Sequence, residues 1–494
     1  MVRPDILDQI VHVTPWDKEM LNGPERPIAV MAKRDPSSHG EISNLHTLGC
    51  MLPYTGLHHL LFHYLKNPLL IMTSANMPGY PMVTDIDQAM AKMNRDVDYF
   101  LTHDRVIVNR CDDSVVRDGH IIRLSRGIAP KRTKIDLGDR TILGVGPELN
   151  SNATVYKEGF AVTSPHVGNV RNPQTFAYLQ ETIENLGRLL GAEYEVIAHD
   201  AHPQFLSTRY AQRLAKESGA ELVGVQHHRA HIAATTTKPC IGIAIDGVGY
   251  GDDGTVWGGE IFAGQAPDYK RVGHLEVVPM PGGDLATRFP ERMLYGILPE
   301  EGVLDLLATR GWTDIELGVL TKQLGQKVNV SYTSSTGRVL DAVSALLGLC
   351  RERTYDGEPA IKLESAARLG AATPWDLEFI NSNGAEVLST RALCQEAFSR
   401  FKRTSPDERG GACDIAASFQ YNLARGIATI AINASGERGL DDIALSGGVA
   451  INSAIRDTIM DEIVKSGRNY VVNREYPLGD GCISFGQCIC AAFR

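Results

Sequence analysis

Residues 240–264 read CIGIAIDGVGYGDDGTVWGGEIFAG. An apolar run, CIGIAID, leads into four glycines within eight positions, and a second apolar run follows. This pattern predicts strand, glycine-rich turn, strand. Residues 142–168 carry the theme earlier, where ILGVG, NATVYK and FAVTSPHVG predict three short strands separated by tight turns. Helical periods follow each copy, so the pair predicts a duplicated, two-lobed α/β fold.

Outward from these stretches, strand-like runs alternate with helical ones. PLLIMTS precedes DIDQAMAKMNRDVDYFL, EVIAHD precedes FLSTRYAQRLAKES, and IALSGG precedes VAINSAIRDTIMDEIVKSG. The stretch APKRTKIDLGDRT (129–141) is polar and turn-rich and marks a domain boundary. Residues 382–412 read as exposed loops around one helix. The duplicated start is similar to that of the actin-like ATPases, which hold nucleotide between two lobes.

A chain of 494 residues admits two to four domains, and 43% hydrophobic with 22% charged residues is an ordinary globular balance. A net charge of −10 argues against a nucleic-acid partner. No apolar run is long enough to span a membrane, so no membrane partner is expected. The start, MVRPDILDQI, lacks the apolar core of a signal peptide. The nine cysteines include no C-x-x-C, and Cys482, Cys488 and Cys490 read as buried reduced thiols. These features together predict a cytoplasmic location.

VQHHRAHIAA (225–234) places three histidines within five positions. His227 and His231 are four apart and share a face if a helix starts here, whereas His228 points about 100° away. Two imidazoles so spaced are half of a Zn²⁺ or Fe²⁺ site, or else ordinary satisfied histidines. A metal needs carboxylates from elsewhere. Asp246 ends the strand IGIAID before a glycine turn, and Asp480 lies in the glycine-flanked PLGDGCISFG before the last apolar helix. Taken singly, each is also a plausible turn or cap aspartate.

Consecutive N–H groups in DGVGYGDDGT (246–255) could form an anion-binding concavity. SGGVAINS (446–453) sits between a strand and a helix, where Gly447 and Gly448 let backbone approach a nucleotide and Asn452 follows in the first helical turn. Neither is a Walker loop, and no G-x-S-x-G or H-E-x-x-H occurs.

These residues belong to an ordered set: MLPYTGLHHLL, TSANMPGYP, RCDDSVVR, LSRGIAP, AHDAHPQFLSTRYA, VQHHRAHIAA, DGVGYGDDGTVWGGE, MPGGDLATRFPERM, SSTGRVLDAVSALLG, TYDGEPAIKLESAA and LSGGVAINS. The set resembles the hydrogenase maturation carbamoyltransferase family, HypF. The resemblance implies that residues 1–138 are a YrdC-like domain incomplete at its N-terminus. It implies that residues 139–494 are a carbamoyltransferase domain of two actin-like lobes. The family's acylphosphatase-like domain and zinc arms are not expected here, nor is the hydrolysis of carbamoyl phosphate that the acylphosphatase-like part performs.

The family's chemistry joins carbamate to ATP as carbamoyl-adenylate, then passes the carbamoyl group to the C-terminal cysteine of a partner, HypE. The small-molecule substrate is therefore expected to be carbamoyl-adenylate or carbamoyl phosphate. By the same resemblance a divalent metal, Zn or Fe, sits on His227, His231, Asp246 and Asp480. ATP with Mg²⁺ would contact Gly447, Gly448 and Asn452, with Asp341 and Glu364 near the ribose. Ser74 and Asn76 of TSAN resemble the nucleotide motif of YrdC-like proteins, and Arg110, Arg117 and Arg126 could neutralise phosphate. Asp341 and Glu364 read equally as helix-surface acids, and Arg117 as a surface arginine.

Other readings are a relative with a tRNA or small-molecule acceptor, a non-catalytic ATP-binding scaffold, and a metalloprotease. The acidic charge disfavours tRNA, a scaffold has no need of the metal set, and a protease lacks a placed general base.

Overall fold

The structure, a computed structural model, describes residues 1–404 and 409–494. Packing divides it into two units, Met1–Val225 with Arg474–Arg494, and Gln226–Asn473.

The first unit holds two sheets. In the smaller, β1 (Ile28–Ala32), β2 (Thr47–Cys50), β3 (Val115–Arg117) and β4 (His120–Arg123) run in the order β2-β1-β3-β4. Ala29 and Val116 of this sheet are fully buried in one core with Val11 and Leu21. The helix Pro15–Asn22 covers this core and starts with a capping box between Thr14 and Asp17. The helices Gly56–Tyr64 and Ile86–Met93 bury none of their residues, and Leu57, Leu60 and Met90 are exposed. PLLIMTS, expected as a strand, forms none. Among the described residues it makes a single bridge, Leu69 to Val2, flanked by backbone bonds with Met1 and Arg3.

The larger sheet comprises β5 (Lys131–Lys134), β6 (Ile142–Gly144), β7 (Thr154–Lys157), β8 (Phe160–Thr163), β9 (Val196–Asp200) and β10 (Glu221–Val225). Its order is β10-β9-β6-β7-β8-β5. β6, β7 and β8 form an antiparallel meander, and β9 and β10 add on the other side in parallel. Residues 131–134, expected within a turn-rich stretch, form an edge strand on β8, a position that tolerates their charged side chains.

The helix Pro173–Leu190 opens with Asn172 as N-cap and closes on left-handed Gly191. Its three- and four-residue spacing buries Leu179, Ile183 and Leu186 against Leu143, Val155 and Ile197. The helix Ile483–Ala492 lies on β6, so close that a Cβ on Gly144 would stand 2.1 Å from the Ser484 carbonyl oxygen. Cys482, Cys488 and Cys490 are buried, and burial pushes the Cys488 thiol up to about 12.

The second unit is built on a nine-stranded sheet. It contains β11 (Cys240–Tyr250), β12 (Val256–Gly264), β13 (Lys270–Leu275), β14 (Val278–Pro281), β15 (Val330–Thr333), β16 (Phe379–Ser382), β17 (Ala385–Leu388), β18 (Asp442–Ser446) and β19 (Asn469–Val472). β11, β12 and β13 form the meander here, and β18 and β19 extend the sheet in parallel from β11. The connectivity of the first unit's larger sheet is thus repeated, and the chain is an α/β protein with a duplicated lobe.

The helix Arg409–Arg438 packs on β11, β12 and β13, with Phe419, Leu423, Ile427 and Ile430 wholly buried. Each such side chain contributes about 1.5–3 kcal/mol.

Three local expectations change. Asp246 does not end β11. The strand continues to Tyr250 with its register broken between Ile245 and Gly249, and the reversal comes at Gly251–Gly254. The glycine-rich stretch is therefore first a bulge and only then a turn. Residues 379–388 are a hairpin rather than a loop, since Asn383 and Gly384 both adopt positive φ, as a two-residue primed turn requires. Positions 405–408 of the expected loop lie outside the described residues. After β18 the chain makes a 3-10 turn, Gly448–Ile451, before the helix Ser453–Lys465 begins.

Candidate metal and nucleotide site

The helix His227–Thr235 starts at the histidines because Gln226 caps it, its side-chain oxygen accepting from the Arg229 N–H at 3.0 Å. The Gln226 amide also donates to the Tyr250 carbonyl at 3.0 Å, tying the cap to the end of β11. His227 and His231 share a face with ring centroids 5.0 Å apart. His228 turns away toward Trp257 and is fully buried, and burial first, then the charge of His227, holds its pKa well below the ordinary histidine value.

Asp246 faces the pair from the bulge in β11. Its Oδ2 lies 3.3 Å from Nε2 of His227 and 3.3 Å from Nε2 of His231. Its Oδ1 accepts from the Gly247 N–H at 2.7 Å and the Gly448 N–H at 3.3 Å. Burial alone would raise this carboxyl, but the bonds with both histidines outweigh it and hold it well below the usual carboxylate range. One ligand atom from each of these three residues lies within 4.8 Å of the other two. Two imidazole nitrogens and a carboxylate oxygen, all buried, make a donor set suited to Zn²⁺ or Fe²⁺. Asp480 belongs to the first unit, where it opens the turn Asp480–Cys482 and is partly buried.

The SGG turn serves this set. The Ser446 hydroxyl stands 3.2 Å from His231 Nδ1, a contact that sequence reasoning missed. Gly447 has φ +107°, and a Cβ there would lie 2.1 Å from the Ile245 carbonyl oxygen. Only glycine lets this turn approach β11 so closely.

Asn452 caps the following helix through the Ile455 N–H and donates to Gln420 at 2.7 Å. Glu364 accepts from the Ser453 N–H at 3.0 Å and the Ser453 hydroxyl at 2.9 Å. Glu364 and Asn452 therefore meet where the helix Ser453–Lys465 begins. Asp341 lies on a different helix, Thr336–Leu346, 2.9 Å from Arg338. Neither Asp341 nor Glu364 is a surface acid, each being 1% exposed.

In the first unit a cavity of about 290 Å³ is lined by Ser74, Asn76 and Arg110 together with Asp112, Arg123 and His166. Ser74 hydrogen-bonds Asn76, whose amide donates to the Met77 and Tyr80 carbonyls and shapes the loop. Arg110 donates to the Met82 carbonyl at 2.9 Å and pairs with Glu181 at 3.2 Å. Arg126 lies elsewhere. It pairs with Asp113 at 2.8 Å, donates to the Glu25 and Arg26 carbonyls and covers the Tyr54 ring. Arg117 is buried rather than on the surface. Arg123 and His166 were missed; an arginine in IIRLSRG and a histidine after a Ser-Pro carry no distinctive spacing.

Comparison with known proteins gives consistent matches. A family model described as "Carbamoyltransferase, Kae1-like Domain, second subdomain" matches residues 242–487, and one described as "HypF Kae1-like domain" matches 138–238. A Sua5, YciO and YrdC family model, described as "Telomere recombination", matches 3–126. A probable carbamoyltransferase HypF of Methanocaldococcus jannaschii is 40% identical over 95% of this chain and 62% of its own length. A carbamoyltransferase HypF homolog of Cupriavidus necator is 32% identical over 71% of this chain and 91% of its own. A crystal structure of full-length HypF, in a phosphate- and nucleotide-bound form, superposes with a TM-score of 0.92 at 31% identity. It covers all of this chain and 78% of that one. The chain spans under two thirds of the length of the longer curated relatives.

Proposed function

The chain belongs to the HypF carbamoyltransferase family, and from that premise we propose that it moves a carbamoyl group from carbamoyl-adenylate to the C-terminal cysteine of a HypE-like acceptor protein. The observation that carries this reading is the convergence of His227, His231 and Asp246 in one buried set. The cavity at Ser74, Asn76 and Arg110 would take ATP with Mg²⁺, and Gly447, Gly448 and Asn452 would border nucleotide in the second unit, with Asp341 and Glu364 fixing the surrounding helices. Arg126, with its donors engaged, would hold its loop in place rather than touch phosphate.

His227, His231 and Asp246, with Asp480 as the proposed fourth ligand, would hold a divalent Zn or Fe ion. Such an ion, when bound, supplies Lewis-acid polarisation of a carbonyl or phosphoryl oxygen. Ser446 contacts His231 at Nδ1, on the side of the ring away from Asp246, and the Gly247 and Gly448 N–H groups hold Asp246. In the transfer, the acceptor's thiolate sulfur bonds to the carbamoyl carbon. The bond from that carbon to the adenylate phosphate oxygen breaks, and AMP leaves with the electron pair. Among the described residues no helix is long and apolar enough to cross a membrane, and we place the reaction in the cytoplasm.

The test supplies labelled carbamoyl-adenylate with a C-terminal cysteine peptide, a tRNA or a sugar. Label is expected on the peptide alone. His231→Ala is expected to lower transfer at least a hundredfold and to deplete bound metal while the circular dichroism spectrum is kept. Wild-type transfer by that variant, or label on tRNA instead, would reject the reading.

A further inference from the structure

Among the described residues β16 ends the nine-stranded sheet, with β17 as its one neighbour. Asn383 and Gly384 make the turn between the two, so Ser382 and Ala385 close the hairpin as a hydrogen-bonded pair. Alternation makes Ile380 and Val387 the next such pair. The backbone N–H and C=O groups of Phe379 and Asn381 therefore point away from β17, and among the described residues they meet no backbone partner there. Edge strands are usually guarded by a charge or a proline, and Phe379–Ser382 has neither.

A cavity of about 340 Å³ opens beside this edge, between the hairpin and the last turns of the helix Arg409–Arg438. Phe379, Ile430 and Ala434 give it an apolar wall, and Glu386, Glu437 and Arg438 bring charge. Asn433 holds Glu386 by donating to its two carboxylate oxygens at 3.2 and 3.1 Å. Arg438 is already engaged with Glu437 at 2.8 Å. One carboxylate is thus left in excess, and the helix C-terminus adds partial negative charge from its last carbonyls. The cavity fits a cation carried on an apolar stem, which is the chemistry of a lysine side chain.

Edge and cavity lie on matching registers. Glu386 pairs with Asn381 across the hairpin, so Phe379, Asn381 and Glu386 share one face. A strand added along β16 would put alternate side chains on that same face, over the cavity. Main-chain bonds would supply affinity, and the cavity would select the side chain.

We propose that β16 and the cavity at Glu386 form a docking site for an extended, lysine-bearing segment of a partner protein, bound as an added strand. The site shares no residue with the metal and nucleotide set, and recognition there uses no step of the transfer reaction.

Fluorescence anisotropy of the full chain with a labelled peptide of valine and threonine around one central lysine tests this. Binding is expected, and norleucine in place of the lysine is expected to weaken it about tenfold. N-methylation along the whole peptide backbone is expected to abolish binding, because strand addition then loses its donors while the charge is kept. Both changes leave the protein untouched. Glu386→Gln is expected to reproduce the norleucine loss. Asn381→Pro removes an outward N–H but no bond of the hairpin, and is expected to reproduce the methylation loss with the circular dichroism spectrum kept. No binding of the lysine peptide, or equal binding of the norleucine or methylated peptide, overturns the proposal. So does butylamine binding as tightly as the peptide, which would make the cavity a site for small amines. Dimerisation of the chain that is lost in Asn381→Pro, with no peptide bound, would give the edge to a second copy and overturn it equally.

Discussion

The hydroxyl of Ser446 reaches His231 across 215 residues of chain and stands 3.2 Å from Nδ1. It is a contact at right angles to sequence: nothing in SGG announces a histidine partner, whereas the spacing of His227 and His231 is written in the helix period itself. Ser446→Ala is expected to weaken metal affinity by about 10- to 100-fold, read by competition with a chelator, with the fold unchanged. Unaltered affinity would show that His231 is oriented by packing alone. Asp341 and Glu364 make the complementary point. Their helical context reads equally as a solvated surface, and only the elements packed around them decide that they are buried.

At the scale of elements, the break in β11 does most to shape the site. It lifts Asp246 out of the ladder, aims one carboxylate oxygen at the histidines and leaves the other to the Gly247 and Gly448 N–H groups. The sequence pattern there reads as a turn because bulges and turns draw on the same glycines. The helix Thr336–Leu346 is pinned to this bulge through Ser335, which caps it and also bonds two β11 carbonyls. Ser335→Ala is therefore expected to cost about 1–3 kcal/mol in urea unfolding. Thr313→Ala, at an exposed capping box, is expected to cost about 1 kcal/mol. Equal losses would mean that the carbonyl bonds contribute nothing.

Across the whole molecule, the same strand connectivity occurs in a sheet of each unit, which explains why one strand–turn–strand theme is legible twice in the chain. Stability should also depend on pH through His166. Burial first, then the charge of Arg123, pushes its pKa down from 6.5 to about 3. The folded imidazole stays neutral where the unfolded one binds a proton, so stability is fully present above about pH 6.5 and falls as pH drops toward 3. His166→Gln is expected to flatten that part of the profile, measured as the urea midpoint at pH 7 and pH 5. Parallel profiles for the two proteins would show that other groups set the acid limit.

The sequence by itself determined the α/β alternation, the duplicated strand–turn–strand starts, the shared face of His227 and His231, and the family. These are properties of local period and ordered motif, which survive without knowledge of long-range contacts. The tertiary structure alone decided that β11 bulges at Asp246, that Ser446 meets His231, that Arg126 is tied to its own loop, and that Arg338 lies buried over Gly247. Each of those depends on which backbone and side-chain groups meet from distant parts of the chain, and hydrogen bonding and burial across such separations leave no period to read.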